Sequence, residues 1–375
     1  MRILFDARVL GNQMHGIARY CQNLLQQLLA EDRGYQFTVL IGSSDIKGRF
    51  SPAFPIRWRV SSTPLYGLQE QVSIPYQIRG EDFDLYHSPT YTIPWSYCSK
   101  GIITIHDLIH LLFPKDYGFR HRFYYSLFTR RTVSRCRYVF TVSEHSKKDI
   151  IRLLKGPERK IIVAPNGLDP QWRPQPSDSE FKNRFGLEKG FLLFVGNPRP
   201  HKNFNRVLSA YLKLVEEDAY PGKLVAVGIN PQDLPGDRQK RVVFFPLSND
   251  RELRLLYSGA DLLVSPSLYE GFGLPVLEAM ACGCPVLVGN QGALPEIVEE
   301  AGQQVDPYDL NAICAGIREI LGHPERRQGL IDRGLQRAAR YSWEKTAQKI
   351  LETYALLKER LQTTKPNPAG DDHRS

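Results

Sequence analysis

Residues 265–297, SPSLYEGFGLPVLEAMACGCPVLVGNQGALPEI, read as a strand, a glycine loop, a helix and a second strand. That order is the building unit of an α/β sheet. Glu270 and Glu278 frame the loop, with seven residues between them. A single helix through both would set them roughly 80° apart. Gly271 and Gly273 weaken such a helix, and Pro275 belongs in a first turn rather than an interior. Glu270 is therefore expected on a loop, and Glu278 in the first turn of the helix that follows. Gly271-Phe272-Gly273 lets backbone come close to a ligand, and amides at a helix start attract anions. Carboxylates beside those amides can hold sugar or ribose hydroxyls. The combination suits a phosphorylated sugar.

The same alternation runs through the chain. Ile3–Phe5, Phe37–Ile41, Leu85–Ser88, Gly101–Ile105, Tyr138–Val142 and Lys160–Ala164 read as strands, with helices at Ile17–Leu29, 66–80 (Pro75 as a kink) and 144–154 after a Ser143 cap. Residues 44–65 read as an irregular surface loop. Residues 169–190 are polar and Pro-rich, a linker signal. The pattern then restarts with strands at Phe191–Val195, Lys223–Val227, Arg241–Phe245, Leu262–Ser265 and Pro285–Gly289, the last strand expected. Helices are expected at Phe204–Glu216, Asp250–Ser258, Leu294–Glu300, 308–321, 325–340 and 342–361. Strand–helix alternation means a doubly wound parallel sheet in each half. The tail from Thr363 is polar and reads as disordered.

With 375 residues the chain exceeds one usual core, so two domains are expected. Residues 1–165 hold 23 Lys+Arg against 13 Asp+Glu, net +10, while the remainder is net −1. A basic half implies an anionic partner: phosphate, membrane surface or nucleic acid. No nucleic-acid recognition motif is present. Residues 115–137 interleave seven Lys/Arg with aromatics, which fits either a helix at a lipid-phosphate surface or a core helix with solvated arginines. The six cysteines form no CxxC and read as buried thiols of a reducing compartment. MRILFDARVL reads as a strand and not a signal peptide, and no apolar run reaches about 18 residues.

Several residues stand out chemically. Gly11–Gly16 is a glycine loop entering a helix, but Ile17 and Ala18 stand where a P-loop has Lys and Ser/Thr. Arg19, in the first turn of that helix, opposes the helix dipole, so either an anion or a surface salt bridge accounts for it. His106-Asp107 follow a strand at its carboxyl end, the edge where ligands bind in parallel sheets. Asp82-x-Asp84 could hold a metal, but it immediately precedes a strand and reads as a solvated turn.

Taken together, the chain resembles retaining glycosyltransferases of family four, which have the GT-B fold. The resemblance rests on GIARY at 16–20, TIHDL at 104–108, TVSEHSKKDI at 141–150, VAPNGLD at 163–169, FVGNPRPHKN at 194–203, SPSLYEGFGLPVLEAMACGCPVL at 265–287 and YSW at 341–343. It implies two Rossmann-like domains with parallel sheets facing across a cleft. Residues 1–168, joined by a returning helix at about 345–362, form an acceptor domain, 169–344 a donor domain, and 363–375 a tail. By resemblance, Glu278 contacts the ribose, while Glu270 and Gly271, Phe272, Gly273 and Leu274 face the sugar and diphosphate. Arg199 and Lys202 neutralise the leaving diphosphate, although Asn197 and His201 stand where many relatives carry other basic residues. His106 faces the sugar and Gly16 lies near the diphosphate. Asn166, in the crossing between domains, joins Arg19 and Asp107 as an acceptor or diphosphate candidate.

The resemblance further implies hexosyl transfer from a nucleotide sugar, with no cofactor and no metal requirement. TIHDL and GNPRPHKN look most like bacterial mannosyltransferases of O-antigen or exopolysaccharide synthesis. GDP-mannose is thus the first expectation for the donor and a UDP-hexose the second. The expected acceptor is a lipid-linked saccharide, at the cytoplasmic face of the inner membrane. A nucleotide-sugar epimerase shares this fold and is the main rival; it would need no acceptor.

Overall fold

The structure is a computed structural model that describes residues 1–11, 16–114, 128–176, 179–233, 241–246 and 249–363. The first sheet holds β1 (Arg2–Asp6), β2 (Gln36–Ile41), β3 (Arg57–Val60), β4 (Leu85–Ser88), β5 (Gly101–Ile105), β6 (Tyr138–Thr141) and β7 (Ile161–Val163), in the order β3-β2-β1-β4-β5-β6-β7. The second holds β8 (Phe191–Val195), β9 (Lys223–Val227), β10 (Val242–Phe245), β11 (Leu262–Ser265), β12 (Val286–Gly289) and β13 (Gln303–Val305), in the order β10-β9-β8-β11-β12-β13. The registered pairs are parallel throughout, for example Phe191↔Lys223 and Leu263↔Val286. The strand order reverses beside β1 in one sheet and beside β8 in the other. In open parallel sheets, ligands bind at such reversals, beyond the carboxyl ends of the strands.

β8 shows why these segments are strands. FLLFV is buried along its whole length, as a strand covered on both faces must be. Its odd and even residues serve different cores. Phe191, Leu193 and Val195 pack with Leu263, Val286 and Val288, whereas Leu192 and Phe194 pack with Leu262, Val264 and Leu287. Period-two alternation thus builds an apolar layer on each face.

Contacts divide the chain into two compact units. One comprises Met1–Thr104, Arg135–Tyr138 and the chain from Trp343 on; the other comprises Ile105–Ser134 and Val139–Ser342. In the first unit, helix Gly16–Leu28 buries Ala18, Cys21, Leu25 and Leu28 on one face. The final helix, Trp343–Thr363, returns to this unit. Trp343 meets Tyr20 edge-on at 6.0 Å, and Tyr354 packs on Tyr35 at 5.6 Å and reaches His87 Nδ1 at 2.5 Å.

Two strands are missing from the sequence reading. β3, RWRV, lies in the stretch 44–65 expected to be irregular, and β13, QQV, follows the strand expected to be last. Both are sheet edges with exposed polar faces, so they carry no apolar run to read. The polar stretch 169–190 is anchored rather than loose. It includes a helix, Ser179–Phe185, and buries Trp172, edge-on to Tyr257 at 5.9 Å, and Leu187. Asp82 and Asp84 both pair with Arg2, which accounts for the acidic triplet as an ion-paired turn. All six cysteines are buried thiols. Part of the basic aromatic stretch, 115–127, and the tail from 364 lie outside the described residues.

The first unit encloses a charged cluster. Arg8 pairs with Asp6 at 2.6 Å and with Glu70 at 2.5 Å, all three side chains being at most 1% exposed. Tyr86 donates to Asp6 at 2.7 Å, and Arg8 Nη1 to the Thr63 carbonyl at 3.1 Å. Burial, and then the Asp6 charge, raise Glu70 to about 7 in spite of Arg8. A carboxyl raised on folding stabilises most below its unfolded pKa near 4.5 and loses that contribution as pH climbs through about 7. Relative to a Glu70→Gln variant, the wild type should therefore lose about 3 kcal/mol between pH 4.5 and 8. Urea unfolding across that range checks this; parallel pH profiles for the two proteins would refute it.

Candidate active site

β11 ends at Ser265, and the chain turns through Pro266–Gly273 into helix Leu274–Ala281. Gly273 stands at the helix start with φ +105°, a backbone open to glycine, and Pro275 occupies the first turn. Two further glycines hold Glu270 in place. A Cβ on Gly271 would collide with the His106 carbonyl oxygen and come within 2.8 Å of Asp107 Cβ. Gly292, at φ +67°, would place a Cβ 2.8 Å from the Glu270 nitrogen, and the Ala293 N–H bonds the Glu270 carbonyl at 3.0 Å. The carboxylate loop is thus clasped between two backbones that only glycine lets approach.

The second loop follows β8. Arg199 opens a short 3-10 turn, Pro200–Lys202, which ends at Asn203 with φ +63°. The Asn203 amide donates to the carbonyls of Pro266 at 2.9 Å and Pro307 at 2.8 Å, and the Leu268 N–H bonds His201 O at 2.7 Å. These bonds align the two loops side by side. Lys202 Nζ then reaches Glu270 Oε1 at 2.6 Å, where Ser267 Oγ also donates at 2.9 Å. The Lys202 and Glu270 side chains are only 16% and 14% exposed, so this is a partly desolvated ion pair. It costs more to break than a surface pair unless a ligand replaces each partner.

His106 and Asp107 arrive from the carboxyl end of β5, against Gly271. The Asp107 carboxyl accepts the Ile109 N–H at 3.1 Å. Desolvation, and then the Glu270 charge, push it above the usual carboxylate range, while Lys202 opposes that shift. Glu278 is buried at 6% exposure and accepts from Tyr257 Oη at 3.2 Å. Burial, and then that carboxylate, raise the Tyr257 phenol. Glu278 is the fifth residue of its helix, just past the first turn where the sequence suggested it, because the helix starts at Leu274, one residue before Pro275. Phe272 is buried, edge-on to Tyr341 at 5.8 Å.

The structure therefore brings together His106, Asp107, Lys202, Glu270 and Gly271, with Phe272, Gly273, Leu274 and Glu278 continuing the same loop and helix. Arg199 is exposed on the turn before Lys202. Asn166 is buried just after β7. Gly16 and Arg19 begin helix Gly16–Leu28 in the other unit. Asn203, Ser267 and Tyr269 also shape the site and escape sequence reasoning. For Asn203, an Asn between Lys202 and a helix start was the one available signal.

Comparison with known proteins gives the family and the fold. The model for Glycosyltransferase Family 4 fits residues 14–172, and that for Glycosyl transferases group 1 fits 177–337. O-antigen chain mannosyltransferase B of Escherichia coli is 28% identical over 95% of this chain and 100% of its own length. The serotype-specific mannosyltransferase WbdA of Escherichia coli is 27% identical over 76% of this chain, a match that spans 37% of that longer protein. The solved sucrose-phosphate synthase of Thermosynechococcus elongatus superposes with a TM-score of 0.76 at 20% identity, over 96% of this chain and 99% of that one.

The chain is a family-four glycosyltransferase. Its glycosyltransferase domains and mannosyltransferase relatives make it a hexosyltransferase, and its two parallel sheets are the two halves of the GT-B fold. The match to the group 1 model spans both loops described above, Arg199–Asn203 and Pro266–Gly273. Because Gly271 has no room for a side chain, Gly271→Ala must push the loop off His106. That variant should lose roughly 1–3 kcal/mol of stability, as overpacked sites do, and most of its transferase activity. Thermal unfolding and a sugar-transfer assay check it; wild-type turnover in a folded Gly271→Ala protein would contradict the packing described.

Proposed function

We propose that this glycosyltransferase moves mannose from GDP-mannose to a lipid-linked saccharide with retention of configuration. The observation that carries the reading is the Lys202–Glu270 pair at the carboxyl ends of β8 and β11. A sugar diphosphate offers a partner to each: phosphate oxygens for Lys202 and sugar hydroxyls for Glu270. In this reading Glu278 holds the ribose. Arg199 joins Lys202 on the diphosphate, with the first amides of helix Leu274–Ala281, and Gly16 is the further diphosphate candidate that the family resemblance offers. His106 faces the sugar, and Arg19, Asp107 and Asn166 serve the acceptor or the diphosphate. The choice of mannose is supported by the names of the relatives, both mannosyltransferases and one of them of an O-antigen chain. A UDP-hexose is the second choice of donor, and donor epimerisation without an acceptor is the rival activity.

The bond between the anomeric carbon and the β-phosphate oxygen breaks, and its electron pair stays on the departing diphosphate. The acceptor hydroxyl bonds the anomeric carbon from the same face and gives its proton to that phosphate oxygen. Charge grows on the diphosphate, where fixed cations and amides stabilise it. Lys202, Arg199 and the helix start take that role in a reaction we propose to be metal-independent. Loss of one such preorganised group typically costs about 10²–10³ in turnover, the size of effect expected for Lys202→Ala.

A lipid-linked acceptor places the enzyme at a membrane surface. The net +10 of residues 1–165 suits an anionic bilayer. Val72 and Tyr76, one turn apart on helix Glu70–Gln77, are 73% and 66% exposed, and Leu68, in the turn before that helix, is 64% exposed, with Arg79 over the Tyr76 ring at 4.7 Å. No helix among the described residues is long and apolar enough to cross a membrane. Sedimentation with phosphatidylglycerol vesicles should carry the protein down, and Val72→Glu should weaken that binding.

A thermal-shift screen of GDP-, UDP- and ADP-sugars tests the donor. Stabilisation by GDP-mannose above the others is expected, about 2.7 kcal/mol at a hundredfold excess over Kd. Stabilisation by a UDP-sugar instead would overturn the choice of base, and donor turnover without any acceptor would favour the epimerase.

A further inference from the structure

Helix Glu144–Leu154 supplies none of the groups assigned to the chemistry, yet it is bonded to the two segments that carry His106 and Glu270. Ser146 is fully buried, and its hydroxyl lies 3.2 Å from the His106 carbonyl oxygen and 3.3 Å from the Gly271 carbonyl oxygen. One turn on, Asp149 Oδ2 accepts from Tyr269 Oη at 2.9 Å, next to Glu270 in sequence. Asp149 Oδ1 is held by Arg152 at 2.7 Å, and His145 Nε2 stands 3.4 Å from Oδ2. At the helix start, Glu296 receives the Glu144 N–H on one oxygen and the His145 N–H on the other, each at 3.0 Å. All these residues belong to the same compact unit.

Apolar side chains could fill the same space at less desolvation cost. Directional bonds add something else, which is a single register. His106 O is set against Gly271 by the missing Cβ, and Ser146 ties both carbonyls to one hydroxyl. Tyr269 is buried, with its ring against His145 at 5.7 Å and Phe113 at 6.2 Å, so its hydroxyl fixes the direction in which the Glu270 loop leaves it. Glu296 precludes sliding of the helix along its axis by occupying the N–H groups that have no partner within the helix.

We propose that helix Glu144–Leu154 is a positioning brace: through Ser146, the Asp149–Tyr269 bond and Glu296 it fixes the Glu270–Gly271 loop against His106–Asp107. The brace rests on the proposed reading only in what the two braced segments do. Reacting groups displaced by about 1 Å lose on the order of 10²-fold in rate, so the brace acts on turnover before it acts on donor affinity.

The test uses Tyr269→Phe, which keeps the ring and removes the hydroxyl, with Ser146→Ala and the conservative Asp149→Asn. In the full chain without donor, hydrogen exchange of amides in 268–274 and 106–112 should speed up about tenfold in Tyr269→Phe and Ser146→Ala, while β8 keeps its wild-type protection. Asp149→Asn leaves one oxygen for Tyr269 and Arg152 to share, so its exchange should fall between wild type and Tyr269→Phe. With GDP-mannose, kcat should fall about tenfold in the first two variants with donor affinity within twofold of wild type. Unchanged exchange in both segments would overturn the brace. So would exchange raised equally everywhere, which marks general loss of stability. The exchange experiment needs no donor, so it judges the brace alone. Absence of GDP-mannose turnover in the unaltered protein would instead count against the proposed function.

Discussion

The ion pair between Lys202 and Glu270 organises the candidate site. Each residue ends up beside the other because β8 and β11 are hydrogen-bonded neighbours at the reversal of strand order, so their following loops leave the sheet together. Neither charge is well hydrated there. Each therefore needs a partner, and each finds it in the other. A ligand that offers an anion to the lysine and hydroxyls to the carboxylate can take both over without leaving either charge bare. A sugar joined to a diphosphate has that chemistry, which is why the pair fits a donor site better than a purely structural salt bridge.

The geometry around the pair comes from small residues and backbone. Gly271 and Gly292 let two other backbone segments close on Glu270, and Asn203 adopts a left-handed conformation so that its amide can bridge Pro266 and Pro307. Strain at such positions is tolerated where the surroundings hold it in place. The other unit puts its buried charges to a different use. Asp6, Arg8 and Glu70 pair with one another at the carboxyl end of β1, ahead of Gly16 and Arg19 in sequence.

Much of this was legible from residue pattern. The helices Phe204–Glu216 and Glu144–Leu154, with its Ser143 cap, begin and end where periodicity and capping put them. Glu270 on a loop and Pro275 in a first turn followed from what glycine and proline allow. What escaped has physical reasons. β3 and β13 are edge strands held by backbone pairing, and their side chains do not report it. Glu278 falls one residue past the expected first turn because the helix takes in Leu274 ahead of Pro275, and no residue pattern marks that extra residue. The bonds of Ser146, Tyr269 and Glu296 join residues up to 152 positions apart, a relation no local pattern carries.

The most direct measurement is a crystal structure of the protein with GDP-mannose bound. The account predicts the diphosphate at Lys202 and the start of helix Leu274–Ala281, the sugar hydroxyls at Glu270 and the ribose at Glu278, with the Lys202–Glu270 bond replaced by bonds to the donor. A nucleotide bound elsewhere, with Lys202 and Glu270 still paired, would contradict it.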